Sequence, residues 1–225
     1  MGTTNTKLHQ KYLERKMYFM AKQPVFDGSM RMVILSGKES FLMTRYTNDL
    51  EKTLTQEHGE VERIVLDGAV SDLATILDEV RTFDLLMKHK LVIVDNADVF
   101  LAAKGSEKKS PRKSMEKYAQ SPVQSATLLL RAQTWRPGNL DKLVSKIGLV
   151  YKLQTLSEVD TVRWCIGRCG KEHGCSLDTQ SAQLLVRRIG LSLTRIDAEL
   201  GKLSAMVAPE TAITKEDVVE MVGLS

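Results

Sequence analysis

Short apolar runs constrain the fold of this chain more than any other feature of its sequence. The runs at 32–35, 91–94 and 126–130 contain no charged residue, and the first two are followed at once by Ser36 and Asp95. A strand buried on one face alternates apolar and polar residues, whereas a strand buried on both faces is apolar throughout. The runs therefore predict strands in the interior of a sheet that is covered by helices on both sides.

Between these runs, apolar residues recur at helical spacing. Leu73, Ile76, Leu77 and Val80 lie three, four and seven positions apart, which predicts a helix over about 70–80. Further strands are predicted at 61–66 and 149–153. Strands that alternate with helices in this way are typical of a parallel sheet.

Strand patterns stop after Leu156, and only helices are predicted beyond it. Ser157 with Asp160, and Thr214 with Asp217, match the signal that starts a helix. The predicted helices lie at 157–173, 178–189, 192–206 and 214–222. The predicted organisation is an N-terminal extension at 1–29, an α/β domain at 30–156 and a small all-α helical domain at 157–225.

The loop after the first strand matches only part of the phosphate-binding sequence motif. That motif needs G-x-x-x-x-G-K followed by Ser or Thr, but Gly37 and Lys38 are followed by Glu39, and position 32 is Met. Asp95 ends the third strand, where a metal-holding acid would lie, but its neighbour is Asn96. The sequence predicts the geometry of a nucleotide-binding fold without nucleotide binding, hydrolysis or a cofactor.

A cysteine and histidine cluster suggests metal ligands at first. Cys165, Cys169 and His173 are spaced by four residues, and Cys175 follows. Successive i, i+4 side chains lie about 6 Å apart along a helix axis, so these groups do not converge easily on one tetrahedral ion. We interpret the cysteines as small packed side chains, and we predict no metal site and no catalytic residue.

The net charge of the chain is concentrated in one segment. Lys and Arg number 32 against 28 Asp and Glu, a net charge of +4. Residues 104–117 contain six basic and two acidic residues, so the net charge of this segment equals the net charge of the whole chain. A solvated surface insertion is one interpretation; the other is a phosphate-contacting loop. The candidate DNA contacts are Lys108, Lys109, Arg112 and Lys113.

A second segment has apolar residues beyond those that one helix face needs. Phe83, Leu85 and Leu86 follow the helix predicted at about 70–80 and precede the strand at 91–94. They fit either core packing or an exposed plug that inserts into a partner's pocket. We call residues 83–87 the plug segment.

Taken together, these pieces resemble the delta subunit family of the bacterial DNA polymerase III clamp loader. The resemblance runs from about Val33 to Val222. It is carried by VILSGKESFL at 33–42, TFDLLMKHKLVIVDNADVFL at 82–101, SATLLLRAQTW at 125–135, LDKLVSKIGLVYKL at 140–153, WCIGRCGKEHGCSLD at 164–178, IGLSLTRIDAELGKL at 189–203 and ITKEDVVEMVG at 213–223. Their order and spacing together are more specific than any one of them.

The resemblance implies a degenerate AAA+ (P-loop-like) parallel-sheet domain followed by a small all-α domain, without the family's third, all-helical collar domain. It implies a subunit that binds the beta sliding clamp and opens one clamp interface during loading onto primed DNA in chromosomal replication. The clamp-binding plug of the family falls on Phe83, Leu85 and Leu86, with Leu-Leu where members usually have Leu-Phe.

The implied partners are the sliding clamp, the other clamp-loader subunits and, through the complex, primed DNA. No intrinsic catalysis is implied, although the chain would belong to a polymerase holoenzyme, a nucleotidyltransferase. The expected location is the bacterial cytoplasm, because no apolar run approaches a membrane span and three cysteines make no disulfide framework. Two alternatives stay open: an active AAA+ ATPase such as a replication initiator or regulator, and a DNA-binding module that uses the basic 104–117 segment.

Overall fold

A computed structural model describes residues 23–82, 88–102, 110–207 and 211–222. The chain divides into two compact units between Leu153 and Gln154. None of the helices in the described ranges combines the length and the apolarity that a membrane span requires.

The first unit is a parallel five-stranded sheet with helical crossovers. Its strands are β1 Met32–Ser36, β2 Val61–Asp67, β3 His89–Asp95, β4 Ala126–Ala132 and β5 Gly148–Lys152. Its helices are α1 Ser40–His58, α2 Leu73–Arg81, α3 Ala97–Ala102, α4 Pro111–Gln120 and α5 Asn139–Val144. The strand order is β2-β3-β4-β1-β5, and every neighbouring pair is parallel. The predicted α/β class is confirmed.

Both faces of the sheet are covered, which explains the uninterrupted apolar strands. Met32 and Ile34 of β1 join a core with buried residues of α2 to α5, such as Ile76 and Met115. The alternate β1 residues are also fully buried, outside that core, and α1 supplies the buried Leu42, Tyr46, Leu50 and Leu54. Pleating sends successive side chains to opposite faces, so the inner strands β1, β3 and β4 are buried on both faces almost throughout, whereas the edge strand β2 has exposed residues.

The second unit consists of helices with one very short sheet. Its helices are α6 Glu158–Glu172, α7 Thr179–Ile189, α8 Leu193–Met206 and α9 Lys215–Val222. Strands β6 Ser176–Leu177 and β7 Ala212–Ile213 pair in parallel. The second unit is helical as predicted, apart from this one strand pair. Two-residue strands are too short to give a periodic pattern, and their pairing joins distant parts of the chain.

The helix starts follow the predicted chemistry. The Ser157 hydroxyl accepts a hydrogen bond from the Asp160 amide at 3.2 Å, and the Asp217 carboxylate accepts from the Thr214 amide at 2.7 Å. Such caps satisfy amides that have no partner within the helix.

Candidate functional site

The carboxyl edge of the sheet contains the loop that resembles a phosphate-binding loop. Strand β1 leads through Gly37, whose φ is +143°, into α1. A Cβ added at Gly37 would lie 2.5 Å from the carbonyl oxygen of Leu153. The Gly37 amide donates to the Ala132 carbonyl at 2.9 Å. This loop is therefore packed between the ends of β4 and β5, and only glycine fits its backbone.

Glu39 occupies the end of α1 where a phosphate would be expected. Helix N-termini bind anions through their free amides and the positive end of the helix dipole. Glu39 is the N-cap residue, and its Oε1 accepts from the Phe41 amide at 3.3 Å. The chain's own carboxylate thus takes the position of an anion at this helix end, while Lys38 beside it is exposed.

Asp95, the acid at the end of β3, is held by an arginine on the next strand. Arg131 of β4 binds both carboxylate oxygens of Asp95, with Nη2 2.6 Å from Oδ2 and Nε on Oδ1. This bidentate geometry is the strong form of an arginine–carboxylate pair. The acid that could hold a metal ion in a nucleotide site is instead neutralised within the sheet. Sequence reasoning missed Arg131, although a charged residue directly after an apolar run was a usable signal.

Asn96 also has a structural role at this edge. Its φ is +50°, and its Nδ2 donates to Asp67 Oδ1 at 2.7 Å. The pKa of Asp67 lies below its ordinary value. The bond from Asn96 is the largest cause, and the bond from the Ala69 amide is the second. The pair ties the end of β3 to the end of β2.

In the sequence, the plug segment lies between the end of α2 and the start of β3, and β3 starts at the opposite, amino edge of the sheet. Phe83, Leu85 and Leu86 lie outside the described residues. Before the segment, Thr82 caps the end of α2, because its amide and hydroxyl donate to the Asp78 carbonyl at 2.8 and 2.7 Å. The chain thus enters the plug segment from a capped helix end.

A buried lysine joins the two sides of the plug segment. The Lys90 side chain is 7% exposed, and its Nζ lies 2.6 Å from Glu79 Oε1 on α2. Glu62 of β2 lies 3.9 Å from the same nitrogen. Nearer the segment, Lys88 pairs with Glu60 at 2.8 Å. The helix before the segment and the strand after it are therefore joined by charge as well as by packing.

Two stacked histidines lie at the same edge. The His58 and His89 rings are 4.1 Å apart and inclined by 8°. His89 Nε2 lies 2.9 Å from Thr127 Oγ1. Burial, together with His58 and Arg31, lowers the pKa of His89 to about 4, so this ring is neutral at neutral pH.

The structure separates the candidate DNA contacts. Lys108 and Lys109 lie outside the described residues. Arg112 donates to the Arg136 carbonyl at 2.6 Å, pairs with Asp141 at 3.4 Å and lies 5.3 Å from the Trp135 ring centroid. Lys113 is exposed. Arg112 therefore serves packing between α4 and α5, while Lys113 is free to meet an anionic partner.

The cysteines pack as interpreted from their spacing. Cys165, Cys169 and Cys175 are all buried thiols. Within the described ranges, no three His, Cys, Asp or Glu side chains are grouped so that they could hold a metal ion.

Comparison with known proteins shows the family to which this chain belongs. Residues 34–157, more than half of the chain, match the family model described as DNA polymerase III, delta subunit. A curated relative, the DNA polymerase III subunit delta of Bacillus subtilis, is 26% identical over 196 residues, covering 85% of this chain and 56% of the relative. The chain thus spans little more than half the length of that relative.

Solved structures agree on the fold. The DNA clamp loader delta protein of Bacillus subtilis superposes with a TM-score of 0.67 at 24% identity, covering 85% of this chain and 57% of the other. The RuvB Holliday junction branch migration motor of Thermotoga maritima gives a TM-score of 0.51 at 15% identity, covering 100% of this chain and 70% of the other. At these identities the likeness concerns the fold alone.

Proposed function

Because the chain belongs to the DNA polymerase III delta subunit family, we propose that it binds the ring-shaped sliding clamp and opens one clamp interface for loading onto primed DNA. Its role is mechanical, and ATP is used by other clamp-loader subunits. The carboxyl edge of the sheet supports the proposal that this chain does not use ATP itself. Glu39 caps α1 and Arg131 neutralises Asp95, so the positions for a phosphate and a metal ion are taken by the chain's own side chains.

The observation that carries the proposal is the fixed base on either side of the plug segment. Glu79 on α2 and Lys90 on β3 form a 2.6 Å ion pair in which the lysine is buried, and β3 is an interior strand. Apolar residues that anchor an interface bind best when they are presented without a large ordering cost. A plug whose flanking residues are held in place can keep a bound partner in a fixed orientation relative to the sheet.

Clamp opening follows from a difference in affinity between two clamp states. A ligand shifts a conformational equilibrium only by the difference between its binding free energies for the two states. We propose that Phe83, Leu85 and Leu86 enter an apolar pocket of the clamp and that the rigid sheet holds them at an angle matching the open interface. Binding to the closed ring is then weaker than binding to the open ring.

The plug is tested by replacing Leu85 and Leu86 with Ala, singly and together. Clamp binding, measured by calorimetry with purified Bacillus subtilis beta clamp, is expected to fall beyond detection in the double variant. Leu191→Ala is the matched control, because Leu191 is 44% exposed and lies in the second unit. Circular dichroism reports folding. Normal binding by the double variant, or its simple unfolding, refutes the plug assignment.

Opening is tested separately from binding. A pair of dyes placed across one clamp interface is expected to move apart when the chain is added. Tight binding with no change in the dye signal would limit the function to clamp binding.

A second contact, with DNA, is favoured by one observation on α4. Lys113 and Lys117 are exposed, whereas Arg112 is engaged with Arg136 and Asp141. We propose that the exposed lysines touch the phosphate backbone when the chain acts within the clamp loader.

A further inference from the structure

Two buried sulfur atoms in the second unit lie unusually close together. Cys169 Sγ and Cys175 Sγ are 2.8 Å apart. Non-bonded carbon atoms pack at about 3.5–4.0 Å, and sulfur is the larger atom. The two thiols are therefore already within the distance at which a small movement would join them.

The backbone creates this contact by reversing direction after α6. Gly174 has φ +65°, a conformation that glycine adopts without strain. The reversal brings Cys175 back over the last turn, and its amide lies 3.5 Å from the Cys169 carbonyl oxygen. A disulfide needs this approach of the two backbones as well as of the sulfurs.

The third cysteine is placed differently. Cys165 lies one turn earlier on the same helix as Cys169, and residues four apart in a helix are separated by about 6 Å along its axis. Both of their side chains point from a continuous helix, so no chain reversal brings these two sulfurs together.

We propose that Cys169 and Cys175 form a dithiol site that low-molecular-weight disulfides, such as oxidised glutathione, convert to an intramolecular disulfide. The thiolate of one cysteine attacks a glutathione sulfur and expels one glutathione thiolate, giving a mixed disulfide. The second cysteine thiolate then attacks the protein sulfur of that mixed disulfide and expels the other. Two protein thiols are oxidised, one glutathione disulfide is reduced to two thiols, and the two protons pass to glutathione.

The first attack is expected to begin at Cys175. Cys175 is 5% exposed and Cys169 is fully buried. Burial, and then the contact with Cys175, raises the pKa of Cys169 to about 12, so little Cys169 thiolate exists at neutral pH. The second attack, by Cys169, is therefore slow, and it accelerates when pH rises.

Trypsin separates the three cysteines, which makes the pairing directly readable. Cleavage after Arg163, Arg168, Lys171 and Arg187 places them in peptides 164–168, 169–171 and 172–187. The full chain is incubated with oxidised glutathione, alkylated with iodoacetamide, digested without reduction and analysed by mass spectrometry. We expect loss of two of the three thiols and a linked pair of peptides 169–171 and 172–187. Dithiothreitol is expected to restore all three thiols.

Two variants and one condition complete the test. Cys165→Ala keeps the linked pair, and Cys175→Ala removes it, leaving Cys165 and Cys169 reduced. In urea, where the geometry is lost, all pairings appear. The proposal fails if peptide 164–168 is linked in the folded chain, or if the folded chain keeps three free thiols while the unfolded chain oxidises.

Discussion

Single side chains decide what the carboxyl edge of the sheet can bind. Glu39 supplies an anion to the start of α1, and Arg131 supplies a cation to Asp95. A nucleotide would need the opposite at both places, since its phosphates seek free amides and its metal ion seeks a free carboxylate. The charges at this edge are thus satisfied from within the chain.

We therefore expect no saturable binding of ATP with Mg²⁺. Calorimetry on the wild-type chain and on Glu39→Thr should both give flat titrations, because the threonine variant still has Asp95 paired with Arg131. Mg²⁺-dependent binding by the wild-type chain would favour the alternative of an active ATPase.

His89 gives the sheet unit a specific dependence on pH. Its pKa is about 4 when folded, against about 6.5 in an unfolded chain. The unfolded state then binds the extra proton, so stability is complete above pH 6.5 and falls as pH decreases towards 4. The loss is about 3 kcal/mol, at about 1.4 kcal/mol for each pH unit.

Urea denaturation at several pH values measures this effect. Gln at position 89 can still reach Thr127 but does not titrate, so the stability advantage of wild type over His89→Gln should shrink as pH falls to 4. Parallel curves for the two proteins would contradict the assignment to His89.

At the scale of elements, one ion pair connects α2 to β3 on either side of the plug segment. Lys90 Nζ is nearly enclosed, whereas the Glu79 side chain is 33% exposed. Loss of either partner should therefore change the free energy of unfolding by a different amount. A buried ammonium that loses its counter-charge destabilises the fold more than a carboxylate that can turn towards water.

This inequality gives an ordered prediction for a double-mutant cycle. Glu79→Gln should destabilise the chain more than Lys90→Met, since methionine fills the same space without a charge. The coupling energy should lie within about 0.5–3 kcal/mol. The matched surface pair Arg63–Glu51, at 2.8 Å, should couple by about 0.2–1 kcal/mol. Equal coupling in both pairs would show that burial of Lys90 does not matter.

The elements also show how far sequence reasoning reaches. Strands β1, β3 and β4 were predictable because burial on both faces leaves an uninterrupted apolar run. Helix α3 and the β6–β7 pair were missed, since six-residue and two-residue elements carry too little periodicity. The pairing of Arg131 with Asp95, and of Arg112 with Asp141, depends on tertiary contacts that join residues 36 and 29 positions apart.

At the scale of the whole molecule, the net charge of +4 is too small to coat DNA, and its placement matters more. Lys113 and Lys117 lie exposed on one helix of the sheet unit. Lysines that touch phosphate release counterions, which makes binding depend steeply on salt.

Replacing both lysines with Gln should reduce the slope of log affinity against log salt by about 0.9 for each phosphate that is no longer neutralised. Fluorescence anisotropy with a labelled primed duplex measures this slope. Lys202→Gln is the control, because Lys202 pairs with Glu199 in the second unit. An unchanged slope in the double variant would exclude α4 from the DNA interface.

The packing of Gly37 against Leu153 has an evolutionary consequence. Leu153 is the last residue of the sheet unit, and its amide donates to the Ser36 carbonyl at 2.6 Å. Reshaping this loop to receive a nucleotide would displace the backbone at the exit from the sheet, and the change would bring no gain until Glu39 and Arg131 were replaced as well. Because a nucleotide site would need these changes together, we expect no single substitution along that route to be favoured by selection.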